Sequence, residues 1–382
     1  MNMHRMPHGL TGKFAVLGAV TLLAACAGTD NSPQPTPLSD IKASAELNSA
    51  WRTSYSDGKL YRFAPDATGD AVYMAGVNGI AGFAMPDGAK RFEVRSAQPL
   101  AGGVGAASGL VVAGTLKGEV YGWEAATGQL RWQTKVSSEM VSPPVIAEGV
   151  VVVRTVDGRV TGLEAKDGKQ RWQFVRSQPS LVLRNYAPAA IADGAVYIGM
   201  ASGRLASLSL ADGRVLWESQ VAQPKGATEL ERISDVTSAP VVDKGMVCAV
   251  AFQGKVACFA VSNGSMLWSR DISSYVGLAM DADKVYVSDE VGNVQAFERS
   301  GGRSLWKQAA LYGRRISGPA VIDGKVAVGD FEGYVHLLSQ ADGSFVARMS
   351  TDKSRVLVAP RVISGKLIVQ TESGGLHALA VK

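Results

Sequence analysis

Few residues in this chain are equipped to do chemistry. The 382-residue sequence has four histidines and three cysteines. Downstream of an N-terminal leader only His336 and His377 remain. Each sits in a strand-like run with no second ligand at a metal-binding spacing, so an ordinary strand histidine is the better reading. Carboxylates recur as Asp-Gly pairs, such as Asp157-Gly158 and Asp167-Gly168, but at the same places in repeat after repeat, where turn chemistry accounts for them. No Gly-x-Ser-x-Gly elbow, phosphate loop or Cys-x-x-Cys motif is present. The sequence therefore names no catalytic residue, no metal ligand and no cofactor. Cys248 and Cys258 flank Gln253-Gly254 on one hairpin. A two-residue loop would send them to opposite faces, whereas a three-residue loop with a glycine bulge would set them level. Level cysteines in an oxidising compartment form a cross-strand disulfide, and two buried free thiols are the alternative.

The third cysteine stands in a specific context. Arg5 and Lys13 precede an apolar run, Phe14–Leu23, and small residues lead to Cys26 in the order Leu23-Ala24-Ala25-Cys26. This resembles the bacterial lipobox, in which the leader is cut before a cysteine that is then acylated. An ordinary secretory signal with an incidental cysteine is the alternative, and the position directly after Leu-Ala-Ala argues against it. Ala27 follows, not the Asp that commonly retains such lipoproteins in the inner membrane, so the resemblance implies an outer-membrane anchor facing the periplasm. We read 1–25 as signal peptide and 26–44 as a lipidated cysteine with a flexible tether, since 27–40 holds three prolines and little apolar bulk. Ile41–Asn48 fits either a strand lead-in or a short helix. The net charge of +5 includes the leader's two cations and is too mild to argue for nucleic acid.

The elements that would position any site come from one repeated sentence. Val150–Val153 is a β-branched run, Asp157-Gly158 a turn, Arg159–Glu164 an alternating strand, and Asp167-Gly168 a second turn before a strand bearing Trp172. The pattern recurs to Trp132, Trp217, Trp268 and Trp306, with Phe92 and Ala347 in degenerate copies. The second-turn glycines (Gly88, Gly128, Gly168, Gly213, Gly264, Gly302, Gly343) lie 40, 40, 45, 51, 38 and 41 residues apart, the period of a four-stranded propeller blade. A short Pro-bearing segment ahead of each meander, as at Pro143-Pro144, Pro240 and Pro319, supplies the fourth strand. The last copy stops at Lys382 without its Trp strand, and an orphan Trp51 precedes the first. The reading is all-β: an eight-bladed β-propeller of four-stranded antiparallel blades over 45–382, closed by the N-terminal strand in the last blade. Composition agrees, with 43 Gly and 19% charged residues suiting short strands and tight turns.

Two consecutive glycine intervals are long, so extra residues fall in two adjacent connectors on one face of the ring. In the first, Leu181 and Leu183 alternate and Arg184 follows. An extended loop would put both leucines on one side beside a guanidinium; tucked under the loop, they would instead form a satellite core. Elaborated loops on a rigid scaffold commonly carry binding.

The spacing Ala-x-x-Gly-x-x-x-Trp, at Ala125-Gly128-Trp132 and Ala165-Gly168-Trp172, resembles the tryptophan-docked blades of quinoprotein dehydrogenases. Those enzymes are much longer, and their vicinal cysteines and calcium ligands have no counterpart here, so this likeness implies the fold and not the activity. A fuller resemblance covers nearly the whole chain. The lipobox, the blade number and the segments PSLVLRNYAP (Pro179–Pro188), ELERISDVTSAP (Glu229–Pro240) and FEGYVHLL (Phe331–Leu338) resemble the BamB family, lipoprotein subunits of the outer-membrane β-barrel assembly machine. The resemblance implies a non-catalytic scaffold that binds the POTRA domains of BamA and other barrel-assembly subunits, handles unfolded outer-membrane proteins, and touches the membrane through its lipid alone. It places the family's Leu-x-Leu-Arg contact motif on Leu181, Leu183 and Arg184, with an acidic position on Asp235; Thr237 stands where a second acid is usual. Asp235 could instead cap a turn or pair with Arg232. The competing readings are a quinone (PQQ)-dependent periplasmic dehydrogenase and a sugar- or peptidoglycan-binding lipoprotein.

Overall fold

Val150–Val153 are all buried, which a strand tolerates only when both its faces are covered. The computed structural model describes Met1 and residues 34–56, 61–184 and 187–382; the leader and Cys26 lie outside them. Among the described residues the chain forms eight four-stranded antiparallel sheets. We number them as blades 1 to 7, spanning 66–95, 105–135, 145–175, 190–220, 241–271, 278–308 and 320–350, and blade 8, made of 361–381 with Leu47–Ser54. In each of blades 1 to 7 the strands pair in sequence order. The short first strands, such as Val145–Ala147, touch those of neighbouring blades and line the ring axis. The prolines lie just ahead of these strands, where no ladder hydrogen bond is lost. Second and third strands are sandwiched between blades, and the Trp-bearing fourth strand alternates at the rim.

The recurring tryptophan joins each blade to the next. Trp132, Trp172, Trp217, Trp268 and Trp306 donate their indole N–H to the carbonyls of Ala165, Leu210, Val261, Arg299 and Gln340, at 2.7–3.0 Å. Each ring lies on the second-turn glycine of the following blade, so closely that a Cβ on Gly213 would stand 2.5 Å from Trp172. Phe92 does the same for Gly128.

The expected closure is present. Leu47–Ser54 pairs with Gly375–Val381, Trp51 opposite Ala378. Trp51 donates to Met85 O at 2.8 Å and covers Gly88, tying blade 8 to blade 1. This split explains Ala347. Blade 8 has no turn between its last two strands, because the two chain ends meet there, so no glycine awaits an aromatic from blade 7. The incoming chain fills the place: Ser44 and Ala45 donate to Val346 O at 2.9 and 3.1 Å, and Ala45 and Leu47 pack on the cluster containing Ala347.

The tether reading needs correction over its second half. Thr36 N–H donates to Tyr312 O (2.9 Å), Arg314 to Thr36 O (3.2 Å) and Arg348 to Ser39 O (2.8 Å), while Leu38 packs beside Trp306 and Leu311. Residues 36–45 are thus held on blade 7 and the connector before it by backbone and arginine hydrogen bonds that composition does not reveal, and 41–46 form no helix. Beneath this strap, Arg314 and His336 both bond the buried carboxylate of Asp330 at 2.9 Å. Arg348 Nε donates to His336 Nδ1 (3.1 Å), which places the histidine's proton on Nε2 and leaves the ring neutral.

Cys248 and Cys258 face each other in the blade 5 ladder. Ala251 N–H donates to Lys255 O around a three-residue loop, Phe252-Gln253-Gly254. This is the loop length that sets the cysteines level, with Gln253 (φ +48°) taking the left-handed conformation. Their Cα atoms are 4.1 Å apart and their sulfurs at bonding distance, 1.94 Å.

Candidate functional site

The two long connectors are 176–189, between blades 3 and 4, and 221–240, between blades 4 and 5. They emerge on one face, together with the turns between second and third strands. Regular hydrogen bonds hold connectors to these turns: Val156 N–H donates to Glu139 O and Phe252 N–H to Asp235 O, each near 3 Å. This periodic anchoring leaves the extra residues of the long connectors to stand above a fixed floor.

Asp235 links the two connectors. One carboxylate oxygen accepts the Leu183 amide at 2.8 Å and the other the Ser202 amide at 2.9 Å, Ser202 lying in the single 3-10 turn Ala201–Gly203 of blade 4. Asp235 is only 4% exposed. Burial raises its carboxyl pKa, and the two amide donors pull the other way without fully offsetting it. Asp235 is therefore not the surface acid that the sequence suggested: its carboxylate is buried and holds the backbone amides of Leu183 and Ser202. It makes no pair with Arg232, which bonds Gly226 O (3.0 Å) and Glu229 (3.6 Å). Thr237 is buried too.

Above this tie the first connector presents Leu181, 41% exposed, then half-buried Val182 and Leu183, then exposed Arg184. The leucines do not both point to solvent; Leu183 lines a cavity of about 630 Å³ between the connectors and blades 3 and 4. Arg184 reaches across it to Glu139 at 2.7 Å. The structure thus brings Leu181, Leu183, Arg184 and Asp235 together, while Cys248 and Cys258 belong to the blade 5 ladder.

Sequence reasoning missed three contributors. Glu139 orients Arg184 from the preceding connector. Arg154 donates to Ala187 O (3.1 Å) and Gly199 O (2.6 Å), pinning the end of the first connector onto blade 4, and burial lowers its pKa to about 10. Its place as a charged residue ending an otherwise apolar strand is the one signal that could have flagged it. Leu230, 67% exposed on the second connector, adds apolar surface. Nearby, the Glu231 carboxylate accepts the amides of Ala227 (2.7 Å) and Thr228 (3.0 Å), stiffening that loop.

Comparison with known proteins bears on this arrangement. A family model described as outer membrane protein assembly factor BamB matches residues 77–308 and 292–382. The chain is 38% identical over 311 residues to an outer membrane protein assembly factor BamB of Burkholderia pseudomallei, covering 81% of each. To that of Escherichia coli it is 31% identical over 323 residues, 80% of this chain and 82% of the relative. The crystal structure of BamB from Moraxella catarrhalis superposes with a TM-score of 0.79 at 28% identity, covering 86% of this chain and 99% of that one. A quinohemoprotein alcohol dehydrogenase from Comamonas testosteroni matches at TM-score 0.69 and 12% identity over 87% of this chain and 76% of its own, a likeness of fold alone. With its eight blades, split closure and paired long connectors, this chain belongs to the BamB family of outer membrane protein assembly factors.

Proposed function

We propose that the protein is a non-catalytic scaffold of outer-membrane β-barrel assembly, carried on the periplasmic face of the outer membrane by acylated Cys26. Its connector face docks the POTRA domains of BamA, so that barrel subunits and unfolded barrel proteins are held near the site of insertion. The observation that carries this reading is the surface of the first long connector. Leu181, Leu183 and Arg184 are presented together, beside a cavity, on backbone that the buried Asp235 carboxylate ties to the blade 4 turn at Ser202. Apolar anchors flanked by an oriented guanidinium are what a docking hot spot needs. The names of the relatives support assembly work in place of catalysis. Affinity of the POTRA domains for Leu183→Ala and Arg184→Ala proteins tests it. Each is expected to lose about 2 kcal/mol of binding with little change in melting temperature. Wild-type affinity in both would move the site elsewhere.

A further inference from the structure

The side chains that hold the strap 36–45 on blade 7 are the same ones that surround a buried histidine. His336 is fully buried, with Nε2 donating to Asp330 at 2.9 Å and its ring against those of Tyr334 and Phe345. Its Nδ1 accepts Arg348 Nε at 3.1 Å, and the same guanidinium donates through Nη1 to Ser39 O at 2.8 Å. Arg314 donates through Nε to Asp330 at 2.9 Å and through Nη1 to Thr36 O at 3.2 Å, and its Nη2 pairs with Glu332. The amides of Thr36, Ser44 and Ala45 complete the attachment, on Tyr312 O and Val346 O. The charged and titratable groups around His336 are therefore Asp330 and Glu332 from the turn between second and third strands, Arg314 from the connector, Arg348 from the outer strand and Tyr334 from its own strand, with Asp40 of the strap beside Arg348.

This arrangement requires a lone pair on Nδ1. A proton there would set two N–H donors against each other at 3.1 Å and place two cations side by side away from water. Arg314 is 3% exposed and bound to two carboxylates, so it stays; Arg348, half-buried at the rim, is the group that can leave. When it leaves, Ser39 loses its donor. We propose that His336 and Arg348 form a pH-sensitive latch, in which uptake of a proton at His336 Nδ1 expels the Arg348 guanidinium and frees the strap 36–45 from blade 7, while Nε2 keeps its bond to Asp330. Burial lowers the pKa of His336 in the closed form, Asp330 opposing and Arg348 and Arg314 reinforcing, so the closed strap resists the proton that the open strap accepts. Below the ordinary histidine value near pH 6.5, opening then gains up to about tenfold per pH unit. The freed segment adds about 30 Å of reach to the chain between Cys26 and the propeller. That consequence alone rests on acylation of Cys26; the latch does not.

Hydrogen exchange of the full chain, read by mass spectrometry between pH 7 and 5 and corrected for the intrinsic pH dependence of amide exchange, tests this. Protection of peptides spanning 36–45 is expected to fall by up to about tenfold per pH unit below 6.5, with that of the Val150–Val153 strand unchanged. His336→Gln, which stays neutral, should hold the strap's protection constant over this range. Arg348→Gln removes the Ser39 donor without emptying the buried cluster, and should leave the strap weakly protected at every pH. The proposal is overturned if strap and strand respond alike to pH, if His336→Gln keeps the wild-type pH response, or if Arg348→Gln protects the strap as wild type does. Because exchange needs no membrane, failure of the latch is distinct from failure of the lipid anchor, which a soluble wild-type protein in membrane fractionation would show.

Discussion

Asp235 illustrates how far the chemistry of one residue depends on where its neighbours come from. Its two amide partners lie 52 and 33 residues upstream, in different structural elements. In the sequence it is only an acid in a long connector, and nothing local distinguishes a buried tie from a surface contact. Leu181, Leu183 and Arg184 were easier to find, because their alternation and charge are contiguous. If the carboxylate is a tie, Asp235→Ala strips two buried amides of their acceptor, at a cost of roughly 2–4 kcal/mol. Hydrogen exchange read by mass spectrometry should then show faster exchange in peptides spanning Leu183 and Ser202, with the Trp172 strand unchanged. POTRA affinity should fall although no partner contact is removed. Exchange at wild-type rates in both peptides would assign Asp235 some other role.

At the scale of the element, the unit of construction is the tryptophan of one blade seated on the turn glycine of the next. Both residues are visible in the sequence, and their spacing carried the fold. What the spacing alone did not tell was which glycine each ring covers, or why Ala347 departs from the pattern. Two glycines separate backbone strain from interblade contact. Gly149 has φ +76° with open space around its would-be Cβ, so Gly149→Ala should cost about 1 kcal/mol of strain. Gly213 has nearly the same φ, +71°, but abuts Trp172, so Gly213→Ala should cost about 1–3 kcal/mol more as overpacking. Urea midpoints of the two variants compare them directly. Equal losses would mean that the indole contact carries no weight.

For the molecule as a whole, blades 7 and 8 contain the groups that should give its stability a dependence on acid. Burial lowers the pKa of His336, with Asp330 opposing and Arg348 and Arg314 reinforcing; burial likewise lowers that of His377, with Asp352 opposing. Both stay neutral in the folded state below the point, near pH 6.5, where an unfolded histidine takes up its proton. Below that point the unfolded chain binds more protons, so stability falls with falling pH, by up to about 1.4 kcal/mol per pH unit for each histidine. Replacing both by glutamine should flatten the melting temperature between pH 6.5 and 5; an unchanged slope would place the acid sensitivity elsewhere. Deleting 45–52 should destabilise all eight blades in one transition, since every blade leans on a closed ring. A loss confined to a separate early transition would argue against that cooperativity. The split blade also orders events in time. Leu47 pairs with Val381, so the propeller's first strand must wait for the strand Gly375–Val381, more than 320 residues later, before it has a partner. A chain emerging from its N-terminus, whether from a ribosome or a translocon, carries seven blades' worth of hairpins as an unclosed arc, with its first and last faces bare until the final strand arrives. Such a high sequence separation is slow to close and leaves the nascent chain open to association until it does. The architecture therefore makes arrival of the Gly375–Val381 strand, and not the folding of any single repeat, the event that commits the ring.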